Sequence, residues 1–457
     1  MSPISQIISF GLMGVLLFAP LPYGSVHPWA YSLIEIVVFG LCFLWMLNAF
    51  ISRESLHHPP GSFELPLFFF LLLCLFQLLP LPPPFLQAIS PIGHARYEGA
   101  LLGNSALPAS SSWHPLSLYP FATWRTLLLL FAYVGVFYLV LYHVHSTAQI
   151  RRLLTALLLI GSFEALYGLY RHFSNQPILA AGRASGTFIN PNHYAGYLEI
   201  IIPLSLALLL IFAPPPSPGI SFRRRIIALA NSQRPTLVGL TFLGLLIMVV
   251  AVIFSISRAG IISLAASLLF FVLGSLYFRR GRRWTFVVLL LVSGALLLGL
   301  WEGLGPVEER FLKASESALG RYEIWPAAMT MVKDFPLLGT GLGTFSSVFL
   351  GYQRAFPSAY FDHAHNDYLE ILSETGWTGF LLLLAASLIF IASTLARLSK
   401  VQAREARLIA LGGLSAIFGL LIHSLFDFNL AIPSNALSLA VAAGLTHQAL
   451  RMEGDRP

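Results

Sequence analysis

The sequence predicts an all-α membrane protein, a polytopic bundle of about 12 transmembrane helices with one large outer loop, about 304–377, that contains short helices. Three observations predict it. Of the 457 residues 56% are hydrophobic and only 10% charged, against roughly 25% charged in an average soluble domain. Apolar runs at 65–79, 126–142, 236–255, 285–300 and 380–396 approach the about 20 residues that a spanning helix needs. The basic residues fall between these runs, so the net charge of +7 and the pI near 9.5 speak for membrane orientation and against nucleic acid.

The first expected span, 4–21, has no basic segment before it and no small-residue cleavage site after it, so it reads as a retained helix and not a signal peptide. Spans at 29–51 and 65–81 follow. Cys42 and Cys74 lie inside apolar runs and offer neither a disulfide framework nor a CxxC metal site. Residues 81–124 are rich in Pro, Ser and small residues and predict an outer loop with a short interfacial helix. Spans 124–144 and 153–172 complete an N-terminal unit, 1–172. A second unit, 173–430, takes in spans 194–213, 236–256, 259–278, 285–303, 378–396 and 408–426 together with the loop 304–377. The last span, 431–450, and a short tail form 431–457.

With both termini on the cytoplasmic side, the inner loops hold seventeen of the 27 basic residues, among them Arg151, Arg152, Arg223, Arg224, Arg225, Arg279 and Arg280. Five of the others (Arg310, Lys313, Arg321, Lys333, Arg354) lie in the long loop, where the positive-inside rule does not apply. Arg96, Arg125 and Arg171 read as snorkelling anchors at membrane ends. Arg183 and Arg258 have more around them.

Four polar constellations fall on the outer side. GRASGTFINPNHYAGYLE, 182–199, is built of turn formers, and Pro191 restricts Asn190 to extended geometry. It is either a tight loop capping the next helix or, with its amides and Arg183, an oxyanion cradle. In SISRAG, 255–260, Arg258 stands between two apolar runs that must turn back there. A charge so placed marks a functional site by default, and a phosphate is the partner a guanidinium fits best. In GRYEIWPAAMTMVKDFPLLGTGLGTF, 320–345, Ile324, Ala327, Ala328 and Met331 share one face of a short amphipathic helix expected to lie on the membrane, with Arg321 at its start. GTGLGTF lacks both the third glycine and the βαβ context of a dinucleotide site.

The fourth is FDHAHNDYLEILSETGW, 361–377. DYLE fits a capping box with Asp367 as N-cap and Glu370 three residues on, and Gly376 is expected to end the helix. His365 then sits just before a helix N-terminus, whose positive end favours the neutral ring that a general base needs. The alternative is a histidine that satisfies a loop. His363 and His365 with Asp362 and Asp367 also have metal-ligand chemistry, but no HExxH, second cluster or cysteine accompanies them; no metal and no cofactor is expected. Glu35, Glu164 and Glu199 lie within or at the ends of spans and are open to pairing with the outer arginines. Asp427, in HSLFDFNLAIPSN, lies at the outer end of the eleventh span and is a candidate to face the same cavity.

Taken in order, GTFINPNHYAGYL, SRAG, GRYEIWPAAM with FPLLGTGLGTF, and AHNDYLEILSETG resemble the bacterial O-antigen ligase and O-antigen polymerase family of integral membrane glycosyltransferases, over roughly residues 180–430. The resemblance implies a multi-pass protein of the bacterial inner membrane with a periplasmic active site, acting in lipopolysaccharide or other surface polysaccharide biosynthesis. It implies a glycan donor carried on undecaprenyl pyrophosphate and an acceptor hydroxyl on lipid A core or a growing glycan chain. By position, Arg258 and Arg321 bind the donor pyrophosphate, with Arg183 and Asn192 added, and His365 acts on the acceptor hydroxyl. His363, Asn366, Asp367 and Glu370 are supporting residues. His363 departs from the single-histidine core of the motif, so the choice of His365 rests on the following Asn366.

Such a transfer needs stabilisation of charge building on the pyrophosphate, which two arginines supply without a metal, and an inverting attack assisted by His365. A protein O-oligosaccharyltransferase of the same family is an alternative; no further domain follows the twelfth expected span, which favours ligase or polymerase. A polysaccharide or lipid-linked sugar transporter is the rival class. It would spread polar groups along a path between repeated halves, whereas here they gather on one face.

Overall fold

The computed structural model describes residues 3–52, 62–102, 113–174, 182–213, 235–277, 314–353 and 360–454. They form fifteen α-helices and one two-stranded antiparallel pair in which Pro80 faces Pro115 and Leu81 faces His114. The helices are α1 (Pro3–Phe18), α2 (Pro28–Ser52), α3 (Glu64–Phe76), α4 (Pro83–Ile89), α5 (Pro91–Leu102), α6 (Pro120–His143), α7 (Thr147–Phe173), α8 (Pro191–Phe212), α9 (Pro235–Phe254), α10 (Arg258–Tyr277), α11 (Ala314–Asp334), α12 (Phe345–Phe349), α13 (Asp367–Leu398), α14 (Arg404–His423) and α15 (Pro433–Gly454). Eight of them start at a proline, whose missing N–H costs nothing in a first turn. At α7 a capping box of Ser146 and Gln149 replaces the proline.

Among the described residues, eight helices are long and apolar enough to cross a membrane: α2, α6 to α10, α13 and α14. They correspond to the second, fourth to eighth, tenth and eleventh expected spans. The first and third expected spans are the shorter apolar helices α1 and α3, and the twelfth is the 22-residue α15. The ninth expected span, 285–303, lies outside the described residues.

The bundle is organised around α8, in which almost every side chain is buried. It packs on α14, α9, α7, α10 and α15. Small residues permit the closest of these approaches. A Cβ on Gly412 of α14 would come 2.8 Å from the Pro203 carbonyl of α8, and one on Gly413 would fall on Thr446 of α15. A separate apolar core forms from α11, α12 and the first turns of α13, with Ile324, Ala328, Met331, Phe335, Phe345, Phe349 and Leu372 at its centre. The amphipathic face expected for 324–331 is present, but it packs into this protein core and not on the membrane expected for it.

This second core rests on the loop 338–344. Gly339, Gly341 and Gly343 all have positive φ (68°, 112° and 77°), and Cβ atoms there would strike α13, Ser117 and Thr126. That close approach lets Gly343 and Phe345 donate backbone N–H bonds to the Glu374 carboxylate at 2.7 and 2.9 Å. Gln77 completes the joint, donating to the carbonyls of Leu338 and Glu374 and accepting from Leu342 N–H. The glycines of GTGLGTF thus serve backbone contact with a helix. Arg96 differs from the anchor expected of it: its guanidinium lies 5.6 Å from the Phe335 ring and 5.1 Å from the Tyr352 ring, a cation–π clamp that fixes α5 to this core.

Candidate active site

Four non-helical segments meet at one end of the bundle: the loop entering α8, the Ser255–Ser257 turn between α9 and α10, the loop entering α13, and the turn between α14 and α15. Each is shaped by its own sequence. Asn190 is extended (φ −108°, ψ 122°), as Pro191 requires, and its side chain accepts from Asn192 N–H as the α8 N-cap. Ser255 and Ser257 hydroxyls accept from the N–H groups of Ser257 and Gly260, closing the hairpin that presents Arg258 as the first residue of α10.

One hydrogen-bond chain runs through these segments. Arg183 donates Nε–H to the Ser255 carbonyl at 2.7 Å and Nη2–H to Asn192 Oδ1 at 2.9 Å. Asn192 donates Nδ2–H to Asp427 Oδ2 at 2.7 Å. The other oxygen of Asp427 accepts from Phe428 N–H at 3.0 Å and lies 3.1 Å from His365 Nδ1 and 3.7 Å from His193 Nε2. Asp427 is fully buried, while the His365 side chain keeps 30% of its surface exposed. Burial alone would raise the Asp427 carboxyl, but the hydrogen bonds and charges of His193 and His365 outweigh it and hold the group well below the usual carboxylate range. An ionised Asp427 accepts the Nδ1–H of His365, so the Nε2 lone pair is the one the ring can offer.

His365 itself has φ +50°. That left-handed conformation costs a side-chain-bearing residue on the order of 1–3 kcal/mol and survives only where neighbours over-determine it. They do so here. Asn366 accepts from Leu369 N–H and donates Nδ2–H to the Leu425 carbonyl, and Asp367 N–H bonds the Ser424 carbonyl.

The cap differs from the expected box. Asn366, not Asp367, is the N-cap of α13, because the buried Asp367 carboxylate instead accepts from the Ser424 hydroxyl at 2.6 Å and from Leu430 N–H. Glu370 accepts from Ala364 N–H at 2.9 Å and from His363 Nδ1 at 2.7 Å. Burial alone would lower the His363 ring, but the Glu370, Asp362 and Glu374 carboxylates outweigh it and lift it to about 9. Held protonated at neutral pH, His363 has no lone pair for a proton. Gly376 breaks the helix as expected, with φ 64° and ψ −173°.

Phe428 gathers the three imidazoles. His363 stacks on it at 4.1 Å, and the edges of His193 and His365 meet it at 4.4 and 4.9 Å. The sequence reading missed Phe428 and His193 as site residues, and placed Asp427 on this side without its role. Nothing in the sequence links positions 365 and 427 across 62 residues. Arg321 lies on α11 one turn before Trp325, whose Nε1–H donates to the Ala364 carbonyl between the two histidines at 3.0 Å. Of the carboxylates expected to seek arginines, Glu199 pairs with His423 at 3.1 Å, and Glu164 accepts from Thr187 N–H at 2.9 Å.

Residues 243–384 match the family model described as O-antigen ligase. The match contains Arg258, Arg321, His363, His365 and Glu370, while Arg183, Asn192 and Asp427 lie outside it and reach the same site through the fold. No curated protein matches the chain.

Proposed function

We propose that this chain, a multi-pass membrane protein whose residues 243–384 match the O-antigen ligase family model, is a glycosyltransferase that transfers a glycan from undecaprenyl pyrophosphate to a hydroxyl of lipid A core or of a glycan chain. The reading places the reaction on the periplasmic face of the inner membrane, with both termini cytoplasmic. The His365–Asp427 hydrogen bond at 3.1 Å carries it, because a buried carboxylate that fixes one ring nitrogen leaves the other as a base of defined direction.

In the proposed step His365 Nε2 takes the proton of the acceptor hydroxyl. The acceptor oxygen bonds to the anomeric carbon as the bond from that carbon to the pyrophosphate breaks, and the electron pair leaves with the pyrophosphate. Arg258 and Arg321 stabilise the charge that builds there, the largest single contribution such sites make. Attack opposite the leaving group inverts the anomeric centre. Arg183 holds the α9–α10 turn that presents Arg258 and extends the cationic surface. Asp427 and Asn192 position the base, and no metal is required.

Transfer is tested with purified protein in lipid nanodiscs, an undecaprenyl pyrophosphate glycan and a lipid A core acceptor. The reading predicts a glycan-extended acceptor of inverted linkage. Its absence with that acceptor and with a second lipid-linked glycan, while a Ser/Thr peptide is modified, would replace the reading with protein O-glycosylation.

A further inference from the structure

His363 has a place in the site that the base does not explain. Its Nδ1 is committed to Glu370 Oε1 at 2.7 Å, and Glu370 is itself fixed by Ala364 N–H. The ring lies nearly parallel to Phe428, at 17° and 4.1 Å, while His365 meets the same phenyl edge-on at 66° and 4.9 Å. Two imidazoles, each oriented by its own carboxylate, therefore share one aromatic plate. The loop that carries both is fastened through Trp325 to α11, the helix of Arg321. His363 keeps 27% of its side-chain surface accessible, and with Nδ1 bound to Glu370 the remaining donor is Nε2–H.

We propose that His363 is an anion-binding residue of this site, donating Nε2–H to an oxygen of the donor pyrophosphate. The inference rests on the donor reading above and deepens it. A displacement of this kind needs groups that stabilise the leaving charge as well as a base, and the site holds two separately oriented imidazoles on one aromatic plate. No proton is transferred: the imidazolium donates a charge-assisted hydrogen bond and keeps its hydrogen. The groups facing the ring are Asp362 on its own loop, Glu370 and Glu374 on α13, and His193 on α8. The carboxylates outweigh burial, so the cation persists to about pH 9.

The same hydrogen bond would suit a carboxylate on an acidic acceptor sugar, so the experiment separates donor from acceptor. The Michaelis constant for each substrate and the inhibition constant of inorganic pyrophosphate are measured on the full chain, wild type and His363→Gln, at pH 7 and pH 10. For the wild type, pyrophosphate inhibition weakens about tenfold between these pH values, as loss of a charge-assisted bond predicts, and the acceptor constant stays level. In His363→Gln at pH 7 the donor and pyrophosphate constants rise about tenfold and the pH dependence disappears. Unchanged donor and pyrophosphate constants in the variant, or a rise confined to the acceptor constant, overturn the proposal. A pH-independent pyrophosphate constant in the wild type overturns it without reference to a variant. Calorimetric titration of inorganic pyrophosphate into the same proteins needs no turnover: the same pH dependence there, with no transfer of a lipid-linked glycan, ends the transfer reading and leaves the anion site standing.

Discussion

Two histidine–carboxylate pairs lie close together at this end of the bundle, and they differ in everything except distance. His365 and Asp427 are 3.1 Å apart, as are His423 and Glu199. His423 and Glu199 sit on the helices α14 and α8 and are both fully buried. His365 rides on a non-helical loop with a left-handed backbone and keeps part of its ring exposed. The two pairs are also joined in sequence, since Asp427 N–H bonds the His423 carbonyl just past the end of α14. An imidazole fixed by a carboxylate is therefore not by itself a catalytic site. Access distinguishes them: the inner pair ties two helices together, and the outer pair can meet a substrate.

The sharpest way to break this comparison is to alter a member of each pair. His365→Ala should lower the transfer rate about 10⁴-fold, the upper range for general-base assistance, with the protein still in the membrane; near-normal surface polysaccharide in cells carrying this variant would end the assignment. Asp427→Asn keeps the size but not the charge, and should cost about 10²-fold in kcat with little change in KM for either substrate. Glu199→Gln should do the opposite. It should lower stability by about 2 kcal/mol, as expected when a buried charged partner is lost, seen as a reduced Tm in detergent, while transfer stays within threefold. A large loss of transfer without a loss of Tm would make the inner pair part of the chemistry.

The smallest expected effect is on stability against pH. Glu370 raises the His363 ring above its unfolded value near 6.5, so this pair stabilises fully below about pH 6.5 and its contribution is lost as pH rises through about 9. The Tm of the wild type should then fall more between pH 8 and 10 than that of His363→Gln, by an amount worth under about 1 kcal/mol because the ring is partly solvated. Equal slopes would remove the ion pair from the account.

The helical architecture was legible because hydropathy is a local property. Span boundaries at 29–51, 236–256 and 259–278 fall within two residues of α2, α9 and α10. The individual polar segments were legible too, since turn formers and a lone arginine between apolar runs carry their own signal. What was not legible is long-range. The capping box at 367–370 was misread because Ser424, 57 residues away, draws Asp367 off its local role. The carboxylates expected to support His365 were Asp367 and Glu370, two and five residues away, whereas the one beside it, Asp427, stands just past another helix end. The glycines of GTGLGTF could be denied a nucleotide but not given Glu374, which lies 31 residues from Gly343.

The central claim is that His365 and Asp427 act as one unit, and a double-mutant cycle on the transfer rate tests it most directly. With His365→Ala, Asp427→Asn and the double variant assayed in the same nanodiscs, the account predicts that the double variant is no slower than His365→Ala alone, because Asp427 has no ring left to orient. Losses that multiply, with the double variant about 10²-fold slower still, would show that the two residues act separately and would contradict it.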